Sequence, residues 1–309
     1  MIDLVFLGTG SALPTARRNL SGVALVRQGE IFLFDCGEAT QIQFRRAGLK
    51  PGKLRYIFIS HFHGDHLFGL PGLLTSLKML GCQQEIHLFG PHGLASYIEF
   101  HRRLCGFELS FPLTIHEISE NSGQVIWQAA DYHVEWQPLQ HRLFTAGYAL
   151  VEANRPGKFD EHRADALGVP FGPERGRLQA GESVVLANGK TITPAEVIGP
   201  PRPGVKIAYC VDTSPCAGQA LLAQQADALV ADATFPAQER EWAQQTGHST
   251  AAEAGELAQR CGVRHLFLTH FSGTLSPADL PAMVEEARAF LPQVTAATDL
   301  ARFTILPRS

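Results

Sequence analysis

The chain is short of three things, and each shortage narrows its class. It has no uninterrupted run of apolar residues of about 18 or more, the length a membrane helix needs. Its six cysteines, Cys36, Cys82, Cys105, Cys210, Cys216 and Cys261, form no Cys-x-x-Cys pair and no framework spacing, so reduced, mostly buried thiols are expected instead of disulfides or a zinc ribbon. Charge of either sign is modest, at 18% of residues with a net of −4, which leaves no global basic footprint. Any nucleic-acid partner must then be held locally. The opening Met-Ile-Asp-Leu-Val-Phe-Leu-Gly-Thr-Gly carries no basic leader region and no cleavage site, so a cytoplasmic protein with no membrane partner is expected. Low-complexity tracts and short-period repeats are also missing.

What remains is a chain of 309 residues, 45% hydrophobic, the composition of a soluble globular α/β protein. Short strands are predicted over 3–7, 22–28 and 30–35, a helix over 39–47, a strand over 55–60, a helix from Gly69 to Leu80 stopped at Gly81, a strand over 86–89 and a helix over 93–104. The second half repeats the scheme. Strands over 125–129, 131–137 and 145–151 lead to buried strands over 205–211, 228–231 and 265–269, with helices over 250–261 and 278–290. Two similar α/β halves, packed sheet against sheet with helices outside, are the expected architecture.

The densest chemistry lies in Ser60-His-Phe-His-Gly-Asp-His66. Four candidate metal ligands, His61, His63, Asp65 and His66, follow an apolar strand within six residues. Alternate residues of such a loop can point to one side, and imidazole with carboxylate suits zinc or manganese. Three further candidates stand where buried strands end: His141, Asp212 and His270. His61, His63 and His141 are assigned to one cation, Asp65, His66 and His270 to a second, with Asp212 bridging. Such a pair clamps the attacking and leaving oxygens of a phosphoryl substrate. Asp35, at another strand end, is a candidate to fix the tautomer of a ligand histidine. His248 precedes Thr250-Ala-Ala-Glu253, a capping box, and is a candidate to protonate a leaving oxygen beside a helix N-terminus.

Residues 152–204 break the pattern. Glycine and proline crowd the segment, apolar periodicity is weak, and from Glu152 to Lys206 eight Lys or Arg face seven Asp or Glu. The stretch reads as an extended insertion, with an idle surface loop as the plain alternative.

With these residues in place, the chain resembles the ribonuclease Z family (tRNase Z, the short bacterial form also called ribonuclease BN) of the metallo-β-lactamase superfamily. The likeness runs end to end, through Phe6-Leu-Gly-Thr-Gly-Ser-Ala-Leu-Pro-Thr15, Leu33-Phe-Asp-Cys-Gly-Glu38, the histidine signature, Gly69-Leu-Pro-Gly-Leu-Leu74, Asp212-Thr213, His248-Ser-Thr250 and Leu268-Thr-His-Phe-Ser272. It implies an αββα four-layer sandwich, a single domain over 1–309 with a flexible exosite arm inserted over 152–204. It also implies two zinc ions per subunit, with manganese or another divalent metal as alternatives, a homodimer, and removal of 3′ trailers from precursor tRNA. The family's metal ligands match at His61, His63, Asp65, His66, His141, Asp212 and His270, and its catalytic residues at Asp65, as general base, and His248. Ala166 to Gly181 resembles the arm that clasps the tRNA elbow, with Arg175 and Arg177 as candidate substrate contacts. The chain departs from the family at Ala39, Val211, Asp232 and Gly273-Thr-Leu275. Two rivals stand beside this reading: a hydrolase of a small phosphodiester or other small ester on the same fold, and an RNA-binding module whose metal site is not catalytic.

Overall fold

The computed structural model describes residues 1–119 and 123–308. The chain opens with β1 (Ile2–Gly8), β2 (Gly22–Arg27), β3 (Glu30–Phe34), α1 (Thr40–Arg46), β4 (Leu54–Phe58), α2 (Gly64–Leu67), α3 (Leu70–Met79), β5 (Ile86–Pro91), α4 (Leu94–Cys105) and β6 (Leu113–Ile118). After β7 (Gln124–Gln128), β8 (Tyr132–Leu139) and β9 (Thr145–Glu152) comes the inserted segment with α5 (Glu161–Ala166), α6 (Pro173–Gln179), β10 (Val184–Val185), β11 (Thr191–Ile192) and α7 (Pro194–Val197). The chain then resumes with β12 (Lys206–Cys210), α8 (Ala217–Ala223), β13 (Ala228–Asp232), α9 (Arg240–Thr246), α10 (Ala251–Arg260), β14 (Leu266–Thr269), α11 (Leu280–Arg288), β15 (Val294–Ala296) and β16 (Arg302–Ile305).

Two seven-stranded sheets result, in the orders β16-β1-β2-β3-β4-β5-β6 and β15-β14-β13-β12-β9-β8-β7. Each joins antiparallel strands to a parallel set, β3 to β6 in one and β12 to β15 in the other. The central strands, such as β1, β12, β13 and β14, are apolar on both faces because both faces are covered. In β1, Ile2, Leu4 and Phe6 join the core between the sheets, where Trp136, Tyr148 and Ile207 from the other sheet meet them. Val5 and Leu7 point the other way, into a second core with Leu73, Leu74 and Leu77 of α3. Leu229, Leu266 and Leu268 do the same on the far sheet, against Ala254, Leu257 and Ala258 of α10 and Met283 of α11. Helix, sheet, sheet, helix: the αββα sandwich expected from the sequence is the fold observed.

Local signals explain the elements that frame the site. Leu70, Leu73, Leu74 and Leu77 give α3 one buried stripe, and the helix stops ahead of Gly81, which takes φ +73° as Cys82 N–H closes on the Leu77 carbonyl at 3.1 Å. The capping box on α10 forms as its sequence requires: Thr250 Oγ1 accepts from Glu253 N–H (3.3 Å) and Glu253 Oε2 from Thr250 N–H (3.0 Å). Gly69 is needed where α3 begins. A β-carbon there would stand 1.9 Å from the Gly37 carbonyl oxygen, so only glycine lets the histidine segment lie against the turn that follows Asp35.

Contacts divide the chain into two units, one made of Met1–Val151 with Val205–Leu306 and one centred on Glu152–Gly204. The second is more regular than its composition foretold. Ala164, Val169, Leu178, Val184, Ile192 and Val197 form a small core of its own, and its ends are tied by reciprocal backbone bonds between Arg155 and Arg202, both 2.8 Å. Its helices run four to seven residues, too short to print a periodicity. Among the described residues no helix is long and apolar enough to cross a membrane. All six cysteines are free.

Candidate metal centre

The ends of the central strands deliver the site. Asp35 follows β3, His61 to His66 follow β4, His141 follows β8, Asp212 follows β12 and His270 follows β14. Three of these residues have left-handed backbones, Asp35 (φ +57°), Asp212 (φ +52°) and His270 (φ +62°). Such a conformation costs a non-glycine residue of order 1–3 kcal/mol and persists only where surrounding structure imposes it. The strained turns swing these side chains back over the sheet ends, toward one point.

All seven sequence candidates converge there in two groups, His61, His63, His141 with Asp212, and Asp65, His66, His270 with Asp212; within each group the nearest ligand atoms lie within 4.8 Å of one another. Asp212 divides its carboxylate between them. Oδ2 stands 3.4 Å from His61 Nε2 and 3.7 Å from His141 Nε2. Oδ1 stands 2.8 Å from His270 Nε2 and 3.2 Å from His66 Nε2. Asp65 Oδ2 faces His66 and His270, 3.4 Å from each Nε2, and accepts the Ala12 N–H at 2.7 Å.

The far sides of the rings decide what the near sides can hold. Asp35 Oδ2 accepts from His66 Nδ1 (2.7 Å), from Tyr209 OH (2.7 Å) and from Ser60 Oγ (2.9 Å). With its hydroxyl proton on Asp35, Ser60 Oγ accepts from His61 Nδ1 at 2.9 Å. Thr234 Oγ1 likewise donates to Asp232 and accepts from His270 Nδ1 at 3.0 Å, and His141 Nδ1 donates to the Gly247 carbonyl at 2.7 Å. Four imidazoles therefore carry their proton outward on Nδ1 and turn the Nε2 lone pair inward. Two such lone pairs brought to 3.2 Å (His66 Nε2 to His270 Nε2) repel unless a proton or a cation stands between them, and His63 Nδ1 stands 2.8 Å from the His61 Nε2 lone pair. Electrostatics agree. Burial alone would lower the His66 and His270 pKa values, yet Asp212 and its neighbouring carboxylates raise both, His270 to about 10. For Asp212 burial works upward, and His270 and His66 reverse it, holding the carboxyl well below its usual range. His141, where burial dominates, is pushed down to about 4. A donor set of imidazole nitrogens and shared carboxylates, locked in tautomer and short of positive charge, fits divalent cations.

His248 stands beside the two groups. Its Nδ1 is 2.8 Å from Asp232 Oδ2, and its ring stacks on His270 with centroids 5.4 Å apart. Asp232 is fully buried and is further held by the Thr213 and Thr234 N–H groups at 3.1 and 2.9 Å. Although burial pushes the Asp232 carboxyl up, His248 more than offsets this, and it stays low. Two cavities open on this ground. One of about 580 Å³ is lined by Asp65, Asp212, His248, His270, Glu38 and Phe68, the other of about 550 Å³ by His63, His141, His248, Arg142, Phe235 and Trp242.

Of the two candidate substrate contacts, Arg175 requires correction. Its guanidinium is buried within the inserted unit, paired with Glu161 and Asp165 and bonded to the Val169 carbonyl at 2.9 Å, so it holds that unit together and is not free for a phosphate. Arg177 is solvent-facing, with one exposed ion pair to Glu182 at 2.9 Å. Sequence reasoning missed Ser60, Thr234, Tyr209 and the Gly247 carbonyl, whose roles arise from contacts distant in the chain. It also missed Ala12, although that residue belongs to a glycine-rich turn.

The role of Asp35 yields a test. Asp35→Asn removes the negative charge and leaves one acceptor oxygen where two served Ser60 N–H, Ser60 Oγ, Tyr209 and His66; weakening such a partner lowers metal affinity or activity about 10–100-fold. Competition with a chromogenic chelator measures it, and unchanged affinity would show the tautomers to be set by something else.

Comparison with known proteins is consistent across the chain. The family profile described as anti-Pycsar protein Apyc1 matches residues 2–107 and that of the beta-lactamase superfamily domain matches residues 177–271. The ribonuclease Z of Acaryochloris marina is 41% identical over 313 residues, covering 100% of this chain and 99% of the relative. The ribonuclease BN of Cronobacter sakazakii is 40% identical, covering 98% and 100%. Among solved structures, the short form of human tRNase Z superposes with a TM-score of 0.73 at 28% identity, covering 98% of this chain and 99% of that one. A metallo-beta-lactamase fold protein from Bacillus subtilis, 17% identical with a TM-score of 0.67, shares the fold. A 41% identity that spans the whole of this chain and 99% of the relative leaves one assignment: the chain belongs to the ribonuclease Z family.

Proposed function

We propose that this chain is a two-zinc endoribonuclease that removes 3′ trailers from precursor tRNA. The observation that carries the reading is the divided carboxylate of Asp212, which makes one centre out of two ligand groups at the floor of a cleft that also holds a histidine on a buried aspartate. In it, His61, His63 and His141 would hold one ion, Asp65, His66 and His270 the other, with Asp212 shared. When bound, such a pair lowers the pKa of water and neutralises charge on a phosphoryl group. The chain's own residues do the rest. Asp65, anchored by the Ala12 N–H, is placed to take a proton from the attacking water. His248, with Nδ1 donated to Asp232, presents Nε2 to the cleft and gives its proton to the leaving oxygen, while the buried carboxylate stabilises the charged ring.

The inserted unit is the proposed exosite. A small folded module with an exposed Phe171 and Arg177 is suited to grip RNA. Deleting Gly157 to Pro200 leaves the Arg155 and Arg202 backbone pair to close the shortened segment. Precursor tRNA cleavage should then fall at least about 100-fold, since several phosphate contacts go at once. Hydrolysis of bis(p-nitrophenyl) phosphate should persist. Equal loss of both activities, or of neither, would count against the exosite. A homodimer is also proposed. Ile42, Met79 and Leu80 are more than half exposed around a groove of about 600 Å³ between α1 and α3, an apolar face a second copy would cover. The cytoplasm is the proposed compartment, where unpaired thiols stay reduced.

A further inference from the structure

One wall of the cleft has no part in the chemistry described so far. Trp242, on α9, is 53% exposed, while Trp136 is fully buried in the core between the sheets. It lines the 550 Å³ cavity together with Arg142, Phe235 and the metal-group residues His63 and His141. Its helix is tied to that centre at several points. Arg142 Nη2 donates to the Gln245 carbonyl (3.2 Å), His141 Nδ1 to the Gly247 carbonyl (2.7 Å) and the His248 N–H to the Ala243 carbonyl (2.8 Å). The backbone that carries the indole is therefore fixed relative to His141 and His248. Phe235 packs edge-on against His248, with centroids 6.0 Å apart.

An open indole wastes apolar surface in water, and the Arg142 guanidinium that lines the same cavity favours an anion. A flat apolar face and a negative charge next to a phosphoryl-cleaving centre together describe a nucleotide. We propose that Trp242 is a specificity-determining residue. It stacks on a nucleobase flanking the scissile phosphate, and Arg142 meets the adjoining backbone phosphate, so that the pair sets the register of the RNA over the metal centre. The inference rests on the RNA-cleaving reading above and adds the side chains that read the strand at the cut.

The test compares wild type, Trp242→Ala and Trp242→Phe, each zinc-loaded, on precursor tRNA and on bis(p-nitrophenyl) phosphate. For Trp242→Ala, the ratio of kcat/KM on RNA to that on the diester should fall about 10-fold, and Trp242→Phe should recover most of it, because stacking tolerates any aromatic ring. Removing the base at one of the two positions flanking the cut should reproduce the loss in wild type and add nothing to Trp242→Ala. A short single-stranded oligonucleotide spanning the cut should quench the indole fluorescence of wild type more than that of Trp242→Phe. An unchanged ratio, or a loss on RNA and diester alike, overturns the inference while leaving the endonuclease reading intact. No cut of precursor tRNA by wild type would overturn that reading, and this inference with it.

Discussion

Asp212→Ala should reduce turnover on every phosphodiester by about 10³-fold or more, the loss expected when several kcal/mol of transition-state charge stabilisation disappear. It should also lower bound zinc per chain, measured by inductively coupled plasma mass spectrometry. No other side chain faces both ligand groups with separate oxygens, Oδ2 toward His61 and His141, Oδ1 toward His66 and His270, among the described residues. Without it each group keeps only three ligands, and four inward-facing imidazole nitrogens lose the carboxylate that drew them together. Substitution of a single-group ligand such as His141 should cost less metal. Full zinc content with wild-type turnover in Asp212→Ala would refute the shared-carboxylate centre.

His248→Ala should behave differently. It also clusters with Asp212, Asp232 and His270, but its Nδ1 is taken by Asp232 and it lies outside the two groups assigned to the metals, so zinc content should stay at the wild-type level while kcat on precursor tRNA falls about 10²–10⁴-fold, the usual contribution of a positioned proton donor. The deficit should shrink on bis(p-nitrophenyl) phosphate, whose nitrophenolate leaves without help. A general acid produces that pattern; a ligand or a merely structural histidine does not. Asp232→Asn should follow in the same direction with a smaller effect, since the 2.8 Å bond to Nδ1 orients the ring and stabilises its charge without meeting the substrate. The bond forms because Asp232 ends β13 beside the loop that presents His248. Equal losses on both substrates for His248→Ala would remove it from the role of acid.

Much of this was written in the chain. The histidine segment announces itself by density, and the strands that carry His270 and Asp212 by short apolar runs such as Leu266 to Thr269, buried throughout. Helices with a full stripe, α3 and α10, are legible to within a residue or two. Elements that failed to show are short or edge-bound. β6 is only partly buried, β15 and β16 run three and four residues, and the Ala-rich α8 and polar α9 lack a stripe long enough to count. Arg175 misled for a different reason. A basic residue in a Gly-rich insertion looks like a phosphate contact until its neighbours fold around it, and the acids ten and fourteen positions away are not visible as partners in one dimension. Asp35 sits between these cases: its place at a strand end was legible, whereas its three donors, His66, Tyr209 and Ser60, converge only in the fold.

The most direct test of the central claim is to map where the zinc-loaded protein cuts an end-labelled precursor tRNA, alongside a hairpin RNA of equal length that lacks the tRNA elbow. A single cut next to the discriminator base on the precursor and none on the hairpin is the expected result. No cut on the precursor, with bis(p-nitrophenyl) phosphate still hydrolysed, would contradict it and leave a small-ester hydrolase built on the same centre.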